Sequence, residues 1–294
     1  TPIPSPTATL PPGKACVDRG GIESALSGPQ APLPDGLGGK MTFWNSDGET
    51  GDMFVARPDG TERIALGPGL FPALSADGNK LVYRASDQGL HIRDLSTGDD
   101  VVIPGTVLPE VYNNDPVWSP DGQQIAFSRF ADDNSDIYLV NADGSNLHKI
   151  VTGPEQQSFL GWAADARSIS YGSYEAETYQ TFVLDLQTGD SREMPALPPG
   201  AVLLSISPDG KRLLYGTDQG TFLTDSASFA PKLLFDSSLN MGYPFLWNPD
   251  GQWLALGYWE TDSLTPASLA LLQPDTCQFI LIQEPLGIVS SWVP

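Results

Sequence analysis

Asp132-Asp133-Asn134-Ser135-Asp136 puts oxygen-bearing side chains at alternate positions, the pattern that lets a short loop surround a hard cation. Asp132, Asn134 and Asp136 are therefore candidate Ca²⁺ ligands, and a solvated turn is the other reading. The pattern is incomplete, because Ile137 stands where an EF-hand loop needs glycine. Asp47-Gly-Glu49-Thr-Gly-Asp52 is a weaker site of the same kind, with Asp47, Glu49 and Asp52 as donors. Ca²⁺ is the one cofactor these residues suggest.

Other chemistries find less support. The cysteines, Cys16 and Cys277, lie near opposite ends of the chain, where a disulfide would pin the N-terminal segment to the last part of the fold in an oxidising compartment. Metal or nucleophile roles for them would need a histidine partner. The histidines are His91, beside Arg93, and His148, beside Lys149, both expected on outer strands and at the surface. No Gly-x-Ser-x-Gly elbow is present. A sialidase-type ring needs Ser-x-Asp-x-Gly boxes, whereas the turns here read Ser-Pro-Asp-Gly. Paired carboxylates for glycoside cleavage could be picked in many ways, so they single out no site.

Composition narrows the partners. Fifteen Lys and Arg against 36 Asp and Glu give a net charge of −21, which repels nucleic acid and anionic lipid. No apolar run is long enough to span a membrane. Residues 1–13 are rich in proline and threonine, an extended tail in which Thr1, Ser5, Thr7 and Thr9 are candidate O-glycosylation sites. Residues 14–39 show no clear period and read as a connecting strap. The absence of an initial Met and of an apolar signal segment reads as a mature secreted chain, extracellular or at the cell surface.

The elements that must position these groups repeat. Ser75-Ala-Asp77-Gly78, Ser119-Pro-Asp121-Gly122, Ala163-Ala-Asp165-Ala166, Ser207-Pro-Asp209-Gly210 and Asn248-Pro-Asp250-Gly251 form a marker whose aspartates are 44, 44, 44 and 41 residues apart. That period matches a four-stranded propeller blade. A short apolar strand precedes each marker, and a second strand follows with an aromatic at Tyr83, Phe127, Tyr171 and Tyr215, or Leu256 in the last repeat. The first repeat, from Lys40, lacks its own leading strand, while Trp292 stands 45 residues after Trp247 and supplies one. The expectation is an all-β, six-bladed propeller over residues 40–294, closed by its C-terminal strand, which removes an open sheet edge. The marker aspartates cap turns, and Trp118, Trp162, Trp247 and Trp292 pack between blades. Function then falls to the loops between the second and third strands. These carry Asp47, Glu49, Asp52, Asp87, Asp132, Asp133, Asp136, Glu175, Glu177, Asp218, Glu260 and Asp262 on one face, with few bases to offset them.

Trp118-Ser-Pro-Asp-Gly122, Phe127 and Asp136-Ile-Tyr-Leu-Val-Asn-Ala-Asp-Gly144 resemble the WD40-like PD40 repeat of the TolB-like propellers. The resemblance covers residues 40–294 and implies the fold rather than an activity. The 39 residues ahead of the ring are too few for the α/β domain that precedes it in TolB. The functional expectation is a non-enzymatic extracellular module that binds a protein or glycan, at the central funnel or the acidic loop face, or assembles with one. The alternative is a structural subunit of a filament or surface layer, whose tail docks on a neighbouring copy. A glycan hydrolase or lyase is the third reading.

Overall fold

The computed structural model describes residues 15–27, 32–34, 37–46, 51–175, 178–194, 197–225, 230–239, 241–259, 268–282 and 287–294. Thr1, Ser5, Thr7, Thr9, Asp47 and Glu49 lie outside them, as do Glu177, Glu260 and Asp262. Six four-stranded antiparallel sheets form a closed ring. Blade 1 holds β1 (Lys40–Ser46), β2 (Gly51–Ala56) and β3 (Ile64–Pro68). Blade 2 holds β4 (Leu70–Leu74), β5 (Lys80–Arg84), β6 (Leu90–Asp94) and β7 (Asp100–Val102). Blade 3 holds β8 (Tyr112–Trp118), β9 (Gln124–Ala131), β10 (Asn134–Asn141) and β11 (His148–Val151). Blade 4 holds β12 (Gln156–Trp162), β13 (Ser168–Glu175), β14 (Thr178–Asp185) and β15 (Ser191–Glu193). Blade 5 holds β16 (Val202–Ile206), β17 (Arg212–Thr217), β18 (Gly220–Asp225) and β19 (Lys232–Asp236). Blade 6 holds β20 (Met241–Trp247), β21 (Leu254–Tyr258), β22 (Ser268–Gln273) and β23 (Gln278–Ile282).

The ring closes as the spacing of Trp292 implies. β24 (Ile288–Val293) pairs with β1, with Met41 opposite Trp292 and Lys40 opposite Val293. Side chains reinforce the seam, since Thr42 Oγ1 lies 2.6 Å from Ser291 Oγ and donates to the Pro72 carbonyl of blade 2. Gly39 leads into β1 at φ 92°, and a Cβ there would meet the Val293 carbonyl oxygen at 2.1 Å. Only glycine fits this approach.

Four blades are stitched by one recurring pair, and blade 2 sets Tyr83 opposite His91 at the same place. The second-strand aromatic faces an aromatic of the third strand in Phe43–Phe54, Phe127–Tyr138, Tyr171–Phe182 and Tyr215–Phe222, with ring centroids 5.2–5.8 Å apart. Such cross-strand stacks contribute about 0.5–1.5 kcal/mol each beyond simple burial. Blade 6 replaces the pair with Leu256 and Ala270.

All six innermost strands carry a bulge in their ladder with the second strand, as between Asn114 and Val117 or Phe159 and Gly161. Bulges bend a strand and sharpen its twist, and here they recur wherever a strand passes the ring axis. Blades are linked across this zone by indoles. Trp118 Nε1 donates to the Ala73 carbonyl at 3.1 Å and Trp162 Nε1 to that of Val117 at 3.2 Å, so each reaches the preceding blade.

The strap contains a helix that its composition does not announce, α1 (Arg19–Ser27). Asp18 caps it, its Oδ1 accepting from the Gly21 N–H at 2.9 Å. Ahead of the helix, the Cys16 and Val17 N–H groups donate to the Leu233 and Leu234 carbonyls, extending the edge of β19. Val17 and Ile22 are buried against side chains of blades 5 and 6. A Cys16–Cys277 disulfide fixes the strap to the turn after β22, a link of a kind that contributes about 2–5 kcal/mol. Among the described residues, no helix is long and apolar enough to cross a membrane.

Candidate functional site

The innermost strands surround a central channel with a cavity of about 500 Å³. Its walls run from Phe71, Asp115, Phe159 and Ile288 down to the second residue of every marker turn. There Ala76, Pro120, Ala164, Pro208 and Pro249 are joined by Pro294 to form a mouth. The alternating pleat of a strand sends every other side chain toward the axis, so the lining inherits the apolar pattern of the leading strands. Trp118, Trp162, Trp247 and Trp292 border the cavity as well as packing between blades. Among the described residues, Asp115 is the one charged group of the lining. It sits at φ 49° in the β8 bulge, close to Arg84. Burial pushes the Arg84 guanidinium below its ordinary value, and the Asp115 charge pulls it back. Arg84 also lies over the Phe71 ring at 4.9 Å and donates to Asn114 Oδ1.

The marker aspartates surround this mouth but are committed to their own turns. Asp77 Oδ1 accepts from Ser75 Oγ at 2.6 Å and from the Asn79 N–H at 3.0 Å, and Asp121 and Asp209 repeat both bonds with Ser119 and Gln123 and with Ser207 and Lys211. The serine hydroxyl bonds are the largest cause holding the Asp77 and Asp209 carboxyls below the usual range. These are Asx-type turns in which the carboxylate replaces a backbone acceptor.

The opposite face carries the connections between second and third strands and those between blades, and most of the sequence candidates. β10 begins at Asn134, ahead of the expected start at Asp136, so Asp132 and Asp133 form a two-residue hairpin turn at φ 51° and 59°. Asn134 and Asp136 therefore lie along a pleated strand rather than around a loop. Asp136 Oδ2 accepts from Lys149 Nζ at 2.7 Å, and Asn134 Oδ1 accepts from the Ser135 N–H. Asp52 is exposed in β2. Among the described residues, no three His, Cys, Asp or Glu side chains converge as a metal site.

Bases were expected to be scarce here, yet two acids are paired by side chains reaching over from neighbouring strands. One is Asp136. The other is Asp87, 3.1 Å from His91 Nε2, while His91 Nδ1 lies 2.9 Å from Asp100 Oδ1. Arg93 Nε donates to Asp100 Oδ2 at 2.7 Å, and the Tyr83 hydroxyl also donates to Asp100. Burial pushes the Asp100 carboxyl up, but hydrogen bonds from Tyr83, Arg93 and His91 outweigh it and hold the group below its ordinary range. His91 is thus a member of a partly buried network rather than a free surface group. His148 is exposed.

A central funnel was one of the two expected ligand sites, but the residues of its mouth were not singled out, although they share the marker period. The signal was present in Ala76, Pro120, Ala164, Pro208, Pro249 and Pro294. The period alone does not say which side of a turn faces the axis.

Comparison with known proteins agrees with the geometry. The model of the TolB beta propeller domain, PD40, matches residues 63–254. Uncharacterized peptidase YuxL of Bacillus subtilis is 28% identical over 198 residues, 62% of this chain and 28% of that protein. A Protein TolB homolog of Chlorobium luteolum is 31% identical over 126 residues, 42% of this chain and 28% of that protein. The matched stretches thus span less than a third of these relatives. Among solved structures, TolB from Acinetobacter baumannii superposes with a TM-score of 0.73 at 19% identity, covering 93% of this chain and 70% of that one. A putative TolB from Agrobacterium tumefaciens gives 0.61 at 17% identity, covering 86% and 91%. At such identities the superpositions speak for the fold. The family match, by contrast, runs from the edge of β3 into β21 across more than half of the sequence, and the chain belongs to the TolB β-propeller (PD40) family.

Proposed function

We propose that this ring is a non-enzymatic protein-binding module of an oxidising, extracytoplasmic compartment, and that it takes a segment of its partner into the marker-side mouth of the channel. The observation that carries the reading is the channel itself. Its walls are apolar, its mouth is rimmed by proline and alanine, and the single charge among its described lining residues, Asp115, faces Arg84. Pockets of this kind hold ligands by apolar contact with a few fixed polar groups. A TolB-like ring suggests a protein partner, and the Cys16–Cys277 bond fits a secreted or periplasmic setting. Peptidase is part of two relatives' names, YuxL and Dipeptidyl-peptidase 5 of Porphyromonas gingivalis, but the match covers only 28% and 20% of those proteins. The filament reading rests on residues 1–13, outside the described residues.

The test is to fill the channel. Gly161 lines the cavity, and a Cβ there meets nothing within 4 Å, so Gly161→Trp enters open space. Peptides selected on the wild-type ring from a random dodecamer display library should include a group that loses about tenfold or more in affinity on the plugged ring, with the melting temperature unchanged. If every selected peptide binds both rings equally, channel binding is wrong.

A further inference from the structure

The face opposite the marker turns holds a second surface, separate from the channel mouth. Five of the nine large apolar side chains exposed among the described residues, Val107, Leu108, Tyr112, Tyr174 and Val202, belong to it and are 43–50% exposed. Val107 and Leu108 lie in the connection from β7 to β8. The others occupy the ends of strands in three consecutive blades. Tyr112 pairs with Phe130 at the outermost rung of the β8–β9 ladder, and Tyr174 pairs with Gln156 at the same rung of β12–β13. Val202 pairs with Gly216 at the last rung of β16–β17. The ladder registers therefore set these residues at similar height around one side of the ring. Solvent-exposed apolar clusters on a stable ring mark contact surfaces.

Two observations say what covers it. No connection on this face carries a Lys, Arg or His anywhere in the sequence, whereas Glu110, Asp132, Asp133 and Asp218 stand exposed beside the patch. The marker face differs, having Arg57, Arg63, Arg167 and Lys211 in its turns. In addition, Gln157, 4% exposed and one residue from the Gln156–Tyr174 rung, has an amide oxygen with no hydrogen-bond partner. Such an acceptor costs free energy until a donor, from a partner or from ordered water, meets it. We propose that the face of blades 3–5 docks a protein segment in which Lys or Arg side chains alternate with apolar ones. The apolar groups cover Tyr112, Tyr174 and Val202, and the cations sit over the ring of carboxylates. Such charge pairing at a rim raises association rate and specificity. With the channel mouth on the other side, the ring becomes a two-sided connector.

The same random dodecamer library tests this when panned on the wild-type ring and counter-selected on the Tyr112→Ser/Tyr174→Ser/Val202→Ser variant. The expected clones combine Lys or Arg with Leu, Phe or Trp. A synthetic peptide from them should lose about tenfold or more in affinity on the triple variant and none on Gly161→Trp. Its binding should weaken with added NaCl, and less steeply for Asp132→Asn/Asp133→Asn, substitutions that a positive-φ turn accepts. The proposal is overturned if no clone is enriched. Clones lacking net positive charge would also overturn it, as would equal binding to the triple variant. Loss only on Gly161→Trp would return all binding to the channel.

Discussion

The two faces of this ring are built by the same chain reversals yet obey different rules. On the marker face, the turns at 75–79, 119–123, 163–167 and 207–211 have one length, and each closes with an aspartate bonded to the backbone two residues on. On the other face, connections range from the single Gly69 to the long segment 103–111. One face is held to a template by hydrogen bonds that fail if the sequence drifts. The other has no such template, so it is free to carry charge and exposed apolar groups. The chain thus separates uniform from variable connections by direction along the ring axis, the marker turns framing the channel mouth at a fixed height while the opposite face varies in length and charge.

The sharpest break in that comparison comes from one aromatic on each side. Trp118 is 5% exposed, walls the channel and donates its indole N–H to blade 2. Trp118→Ala should cost about 3–5 kcal/mol. Tyr112, six residues earlier on the same strand, is 46% exposed at the opposite end, and Tyr112→Ser should change stability by no more than about 0.5 kcal/mol. Urea denaturation of the two variants measures the contrast. A loss above about 2 kcal/mol for Tyr112→Ser would mean that the exposed patch is structural and not a docking surface.

How much of this was legible follows from which forces are local. The marker residues, the leading-strand tryptophans and the second-strand aromatics announce blades because each plays the same role at one period. Trp292 gave the closure by the same reasoning. The helix α1 escaped because Arg-Gly-Gly-Ile-Glu-Ser offers poor helix formers, and its stability comes from Val17 and Ile22 packing on blades 5 and 6 and from the disulfide. The acidic Asp132–Asp136 stretch looked like a cation loop because spacing in sequence was read without the strand. Once β10 begins at Asn134, Asp136 turns toward Lys149, a residue thirteen positions away that no local pattern links to it. The channel mouth and the Tyr112–Tyr174–Val202 patch depend on ladder register, which sequence periodicity does not supply.

A smaller effect tests whether the marker template is as strict as it appears. Ala166 holds the third marker's glycine position at φ 58°, where Gly78, Gly122, Gly210 and Gly251 have φ of 68–71°. A left-handed conformation strains an L-residue by about 1–2 kcal/mol, while glycine returns part of this as unfolded-state entropy. Ala166→Gly should therefore stabilise the ring by about 0.5–1 kcal/mol, and the reciprocal Gly122→Ala should destabilise it similarly. Thermal unfolding of both variants reads the sign. If Ala166→Gly lowers the melting temperature, the third turn is not held by the same geometry as the rest.

A change of similar size separates the faces by pH. Tyr83, toward the connection-bearing end of blade 2, donates to Asp100. Burial first, and then that bond, pushes its phenol up to about 12, against the opposing charge of Arg93. The fold therefore favours the neutral phenol, and the folded pKa lies above the ordinary value of about 10. Its contribution is complete below pH 10 and is lost as pH rises toward 12. Asp77 and Asp209 on the marker face have the opposite sign. Their carboxyls are held low by Ser75 and Ser207, so their contribution is present above the ordinary carboxylate pKa of about 4 and disappears as pH falls through the lowered values. Tyr83→Phe should cost about 1 kcal/mol near neutrality through the lost hydrogen bond. It should also flatten the alkaline limb of the stability profile while leaving the acid limb set by the marker turns in place. Chemical denaturation across the pH range shows both limbs at once, and an alkaline limb identical to that of the wild type would dissociate Tyr83 from the high-pH loss.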